Sequence, residues 1–338
     1  MQRLLFVRRV SMLTESHIDV RYPDCDPMGI VHHGVYPLWM EIGRLDFLSA
    51  AGYGYQAMNR EGINPAMVDL HIQYRAPVRF PGRVTVKTVC SLCQGKKLEL
   101  RYAVYPEGAG QPAAVGSSFH IWTGPGMQSL DLSAKPEIYN PLVSASEHPA
   151  VLILAGGRSR RMGQDKAQIE LKGETLLTRA VSLWRKTLPE AKIYIALGQK
   201  DHRLNLPQNV TPIYDLSPDL GPMGGLQAAF RTTGEELFWV SAVDMPGLRP
   251  EAAALLSEKR CHCEDICAFS RDGRPEPLLG LYRSTCLPKI DELLDAGNGR
   301  MADLFGQVSV TLVPLPNKSW VRNVNTPEDL RQLQTASY

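Results

Sequence analysis

No run of about 18 apolar residues occurs anywhere in this 338-residue chain, so nothing in it reads as a bilayer-spanning helix. The short apolar stretch Leu4 to Val7, flanked by Arg3, Arg8 and Arg9, is shorter than a secretory core, and no small-residue cleavage site follows it. The expectation is a cytoplasmic protein without a membrane partner. Charge of either sign is not in excess either. Lys and Arg number 37 against 35 Asp and Glu, a formal net charge of +2 that gives no reason to invoke nucleic acid as a partner. Cysteine is sparse and odd in number, seven spread along the chain, which fits reduced thiols better than a disulfide framework. No internal repeat is visible. The two commonest phosphate-binding motifs are also missing: Gly156-Gly157 has no third glycine at dinucleotide spacing, and no Gly-Lys-Ser/Thr follows.

What is present divides the chain in two, as its length suggests. With 44% hydrophobic residues and 21% charged, both parts can bury a core. In residues 1–126 the pattern after one helical patch alternates, as in Arg83-Val84-Thr85-Val86-Lys87 and Lys97-Leu98-Glu99-Leu100-Arg101. Consecutive alternating strands with short turns such as Gln94-Gly95 imply an antiparallel sheet with one half-buried face. Residues 127–148 carry Pro136, Pro141 and several serines with no sustained apolar period, and read as a linker. From 149 to 338 the pattern changes. Continuous apolar strands (150–154, 193–197, 237–243) are separated by helix-length segments, which implies crossover connections and a parallel α/β sheet.

The second part opens on its most informative stretch, Leu154-Ala155-Gly156-Gly157 through Arg161 to Lys166. A buried strand ending in glycines brings backbone N–H groups close to an anion, and the arginines and Lys166 can neutralise phosphate oxygens. An ordinary strand-to-helix turn with a solvated basic face would show the same two glycines.

In the first part, Asp24-Cys25-Asp26-Pro27-Met28-Gly29-Ile30-Val31-His32-His33-Gly34 lies between a strand over 16–22 and a helix starting near Val35, whose stripe is Leu38, Ile42, Leu45 and Leu48. A helix N-terminus can polarise a carbonyl oxygen, and a nearby carboxylate can act as base or nucleophile, which is the minimum for acyl transfer. Capping and turn chemistry would use the same aspartates. The segment Tyr22 to Tyr36, followed by Glu41-Ile42-Gly43-Arg44, resembles the hotdog-fold acyl-CoA thioesterases of the 4-hydroxybenzoyl-CoA thioesterase type over roughly residues 14–125. The resemblance implies an α+β hotdog fold, a long helix wrapped by an antiparallel sheet, homo-oligomerisation through that domain with sites between subunits, acyl-CoA as substrate and Asp26 as the catalytic carboxylate. Gly34-Val35 depart from the family's small polar residue plus asparagine.

Further motifs follow in the second part: Asp215 with Gly221-Pro222-Met223-Gly224-Gly225-Leu226, Val243-Asp244-Met245-Pro246, Pro275-Glu276-Pro277-Leu278-Leu279-Gly280-Leu281-Tyr282, and Val321-Arg322-Asn323-Val324-Asn325-Thr326-Pro327-Glu328-Asp329-Leu330. Together with the loop from Leu154 to Lys166 they resemble the molybdenum cofactor guanylyltransferases. That resemblance implies a Rossmann-like nucleotidyltransferase fold, GTP and molybdopterin cofactor as substrates, and Mg²⁺ on Asp244. It also implies a nucleotide site at Leu154, Ala155, Gly156, Gly157, Arg161, Lys166, Asp215 and Asp244, with Asn323 and Asn325 on the pterin side. Ile195-Ala196-Leu197-Gly198-Gln199 lacks the family's asparagine after the second strand. Cys261-His262-Cys263 with Cys267 fits no standard zinc spacing and reads as reduced cysteines near the surface.

The reading is thus a bifunctional enzyme, a guanylyltransferase joined to a thioesterase. The competing reading is a cytidylyl- or other nucleotidyltransferase whose hotdog domain serves only for dimerisation or acyl-CoA binding.

Overall fold

The computed structural model describes residues 11–156, 165–199, 205–218 and 220–335, and it divides into two units. The first comprises the chain up to His148 together with Cys261–Cys263, and the second residues 149–260 and 264–338.

In the first unit, β1 (Leu13–Val20) is followed by α1 (Val35–Ala50) and α2 (Tyr55–Glu61), then by β2 (Asn64–Tyr74), β3 (Gly82–Gln94), β4 (Lys97–Pro106) and β5 (Ala114–Thr123). The five strands form an antiparallel sheet in the order β1-β3-β4-β5-β2. Alternation in β3 buries Val84 and Val86 toward α1 while Thr85 and Lys87 are half-buried. At Gly43 the helix comes so close to the sheet that an added Cβ would press on Val86 at 3.1 Å and on the Thr88 hydroxyl.

The stripe expected on α1 holds at its C-terminal half, where Leu48 is fully buried and Leu45 packs on the core, and is corrected at its start. Leu38 and Ile42 are 54% and 41% exposed, and there the buried face is Tyr36, Trp39, Met40 and Gly43, continued by Phe47. The helix carries apolar residues on both faces, so period alone could not choose between them.

The linker reading of 127–148 is corrected as well. This stretch contains α3 (Pro136–Ala145), whose Ile138, Leu142 and Ala145 recur at helical spacing and, with Leu132, join the first unit's core. Pro136 punctuates the start of that helix rather than the end of a domain. Backbone bonds tie both ends down, Leu132 N–H to Gly95 O at 3.1 Å and Glu147 N–H to Cys90 O at 2.8 Å. Of the cysteines near 263, all reduced as expected, Cys261 is half-buried, but Cys263 and Cys267 are fully buried rather than near the surface.

The second unit runs β6 (Ala150–Leu154), a small hairpin of β7 (Glu170–Leu171) and β8 (Glu174–Thr175), α4 (Leu176–Thr187), β9 (Ile193–Ala196), β10 (Thr211–Ile213), α5 (Gly221–Thr233), β11 (Leu237–Ala242) and α6 (Pro250–Lys259). It continues with β12 (Ile266–Arg271), β13 (Arg274–Arg283), α7 (Leu287–Asp295), α8 (Met301–Leu304), β14 (Val310–Pro314) and α9 (Pro327–Thr335). Seven strands form one sheet in the order β10-β9-β6-β11-β13-β12-β14. Strand β6 is buried on both faces, Val151 and Ile153 entering one core cluster and Ala150, Leu152 and Leu154 another.

The sheet is mixed rather than parallel throughout. Strands β10, β9, β6 and β11 are parallel, but β13 runs antiparallel to both β11 and β12. The cause is a two-residue turn at Asp272-Gly273, where φ values of 53° and 79° allow a tight hairpin instead of a crossover helix. Among the described residues no helix is long and apolar enough to cross a membrane.

Candidate functional sites

In the first unit the loop after β1 separates the two aspartates by environment. Asp24 is buried and accepts from the Arg21 backbone N–H at 2.9 Å and from its guanidinium at 2.8 Å. Burial alone would raise its pKa, but the bonds from the Arg21 side chain and backbone outweigh it, and the carboxyl is held below the usual range. Asp24 is therefore the loop's structural anchor, and its carbonyl also receives the His32 N–H at 2.8 Å. Asp26 is only half-buried. Its Oδ1 accepts the Met28 N–H at 2.8 Å in a tight turn, while among the described residues no donor meets Oδ2. His32 Nδ1 receives the Gly34 N–H at 3.1 Å, its ring lies 4.0 Å from that of His33, and the Tyr74 hydroxyl holds the His33 carbonyl at 2.9 Å. The histidines thus fix the entry to α1.

In the second unit, β6 delivers Leu154 and Ala155, both nearly buried, to the carboxyl end of the sheet. Ala155 N–H and Gly156 N–H both donate to Ala196 O, at 2.9 and 2.7 Å. This corrects one expectation: the Gly156 N–H holds the loop to β9 and is not available to an anion. Its lack of a side chain is what permits that approach, since a Cβ would lie 2.7 Å from Gly198 N. Gly157 and Arg161 lie outside the described residues.

Across the same end of the sheet, Lys166 Nζ donates to Asp244 Oδ2 and to Asn325 Oδ1, each at 2.6 Å. Asp244 follows β11, where Val243 N–H bonds to Leu154 O at 3.0 Å, and its own carbonyl accepts Val324 N–H at 2.9 Å. The other carboxylate oxygen, Asp244 Oδ1, is buried and has no hydrogen-bond partner among the described residues. Asn323 Oδ1 is in the same condition. Asp215 sits beside Gly198, donating its N–H to that residue's carbonyl at 2.7 Å, and burial pushes its carboxyl up to about 6. A Cβ on Gly225 would lie 3.7 Å from Asp215 Oδ1.

Three residues from separate motifs, Lys166, Asp244 and Asn325, are thus brought into direct contact. Asp215 stands apart from them, bonded to Gly198 beyond the end of β9. Asp329 lies within the last sequence motif, where the sequence alone gives it no role of its own. Its Oδ2 accepts from Asn325 N–H at 3.1 Å and from Thr326 N–H and hydroxyl at 2.9 Å, so it fixes the Asn325 loop at the start of α9. The Thr326-x-x-Asp329 spacing of a capping box was the available signal. Asn323, Asn325 and Asp329 also line a pocket of about 560 Å³ with Arg271, Lys318 and Arg322.

Comparison with known proteins gives a family match for each part of the chain. Residues 151–310 match the family described as MobA-like NTP transferase domain, and residues 20–127 match the thioesterase-like superfamily. A protein of Carboxydothermus hydrogenoformans named "Probable molybdenum cofactor guanylyltransferase" is 31% identical over 54% of this chain and 93% of its own length. A protein of Pelotomaculum thermopropionicum with the same name is 33% identical over 53% of this chain and 88% of its own. A DHNA-CoA thioesterase structure from Staphylococcus aureus is 28% identical over 38% of this chain and 89% of its own, with a TM-score of 0.36. The chain belongs to the molybdenum cofactor guanylyltransferase family through its second unit, and it carries a thioesterase-like domain ahead of that unit.

Proposed function

We propose that this chain is a bifunctional cytoplasmic enzyme that transfers GMP from GTP to the molybdenum–molybdopterin cofactor and hydrolyses acyl-CoA thioesters. The meeting of Lys166, Asp244 and Asn325 carries the first assignment. In the transfer, a phosphate oxygen of the acceptor forms a bond to the α-phosphorus of GTP while the bond to the β-phosphate oxygen breaks, releasing pyrophosphate. Lys166 supports this by meeting the triphosphate charge. Asp244 offers the buried, unpartnered Oδ1 as a hard oxygen donor, which fits a Mg²⁺ ion. When bound, Mg²⁺ supplies charge neutralisation on the departing pyrophosphate. The Asp215 carboxylate can accept both N–H donors of the guanine Watson–Crick edge. The free Asn323 Oδ1 suits a pterin N–H on the acceptor side.

In the thioesterase half, the free Oδ2 of Asp26 supports a base or nucleophile role. It either takes the proton of a water that attacks the thioester carbonyl, or attacks that carbonyl itself to form an anhydride that water then hydrolyses; in both routes the C–S bond breaks and the thiolate leaves as CoA, taking up a proton that originates from the water. The N-terminal end of α1, next along the chain, suits polarisation of the carbonyl oxygen. Leu38 and Ile42 on α1 and Met67 and Val68 on the edge strand β2, all 41–58% exposed, support a second copy of this chain as the partner that covers them.

Four outcomes test these assignments. Asp26→Ala should abolish hydrolysis of every member of an acyl-CoA panel while GTP binding stays unchanged; residual turnover above about 1% would remove the role. Sedimentation of the full-length chain should give a dimer or larger assembly, and a monomer at micromolar concentration would remove the second-copy reading. Asp244→Ala should lower metal-dependent GMP transfer by roughly a thousandfold without loss of the thermal transition; transfer near the wild-type rate would refute the assignment. Binding of GTP needs Asp215 ionised. Its raised pKa of about 6 means that affinity is intact above that value and is lost as pH falls through it. Titration calorimetry should therefore find the GTP Kd about tenfold higher at pH 5 than at pH 7.5, and Asp215→Asn should flatten that dependence.

A further inference from the structure

We infer that Asn325 is a positioning residue for the nucleotide, acting through Lys166, an inference that rests on the nucleotidyltransferase reading above. An ammonium has three donors and no acceptor. Two of those on Lys166 are taken, by Asp244 Oδ2 and Asn325 Oδ1 at 2.6 Å each, so the direction of the third is fixed by the first two. A lysine stem otherwise samples many rotamers, and holding it before the substrate arrives removes that ordering cost from binding.

Both anchors are themselves immobilised. Asp244 is clamped through its own carbonyl to Val324 N–H, and Asn325 through its backbone N–H to Asp329, whose carboxylate also ties Thr326. Only the amide oxygen of Asn325 can face a lysine, so the side chain's orientation is chemically determined. The residue type fits the task as well. Asp244 already neutralises one unit of charge, and a neutral second acceptor grips the ammonium without cancelling the attraction it has for phosphate oxygens. A carboxylate at 325 would hold Lys166 harder and leave less positive charge for the triphosphate.

The test is a double-mutant cycle on GTP affinity, measured by titration calorimetry on the full-length chain with Mg²⁺ and no acceptor present. Asn325→Ala should raise the GTP Kd by about tenfold, as expected for loss of a hydrogen bond to a charged group. In the Lys166→Ala background the same substitution should raise it by less than about twofold, because the group it acts through is gone. If Asn325→Ala fails to fold, Asn325→Leu, which is close in shape and lacks the acceptor, replaces it in the cycle, with the same non-additivity expected. An unchanged Kd in Asn325→Ala, or an equal increase in both backgrounds, would overturn the inference while leaving the guanylyltransferase reading intact. Absence of any GTP binding by the wild-type chain would overturn that reading and this inference with it.

Discussion

The Lys166 ammonium is the point on which the second unit's site depends. It joins Asp244, 78 residues away, to Asn325, 159 residues away, at the carboxyl end of one sheet. With Asp244 11% exposed and Lys166 25%, neither charge is fully solvated, so each requires the other. Loss of one such charged hydrogen bond costs about 2 kcal/mol, more than a surface pair would. The pair leaves one oxygen of the carboxylate uncommitted, and a buried acceptor without a donor is unfavourable unless something else satisfies it. The same residue is therefore both a structural partner and an open ligand position.

Carboxylates elsewhere in the chain show how environment assigns roles to identical side chains. Asp24 and Asp26 are separated by one residue, yet Asp24 is enclosed by Arg21 and holds the loop, whereas Asp26 keeps an oxygen free toward solvent. Asp215 is raised by burial among glycines, without a cation among the described residues to offset it. Asp244, by contrast, has its cation in place. A carboxylate kept dry is costly in the folded chain, and that cost is lowered when donors reach it.

Much of this was readable from residue order. The alternation in β3 and β4, the buried run of β6 and the acidic residue that follows β11 each follow from local chemistry, and the structure has them where those patterns predict. What was not readable had a common physical origin, namely tertiary choice between equivalent local options. Helix α1 is apolar on two faces, and only the sheet decides that Met40 rather than Leu38 is buried. Pro136 and Pro141 look like linker punctuation until Ile138 and Leu142 find the core of the first unit. The Gly156 N–H could have faced either an anion or β9, and the proximity of Ala196 O settles it.

The antiparallel insertion of β13 is more than a topological detail. It places β14 at the far edge of the sheet, three strands from β11, so the chain beyond Pro314 has to cross back to reach Asp244. It does so at close range. Trp320 packs edge-on against Phe269 of β12 at 6.0 Å, and a Cβ at Gly247 would run into the Ser319 carbonyl. The return ends with Val324 bonded to the Asp244 backbone and Asn325 bonded to Lys166. The residues that complete the site therefore lie beyond residue 310, where the NTP-transferase family match ends. A fragment cut at that boundary would keep Lys166 and Asp244 but lose one of the two anchors of the lysine. The unit that positions Lys166 is consequently longer than the sheet that supports it, because the segment from Lys318 onward carries Asn325 back to it.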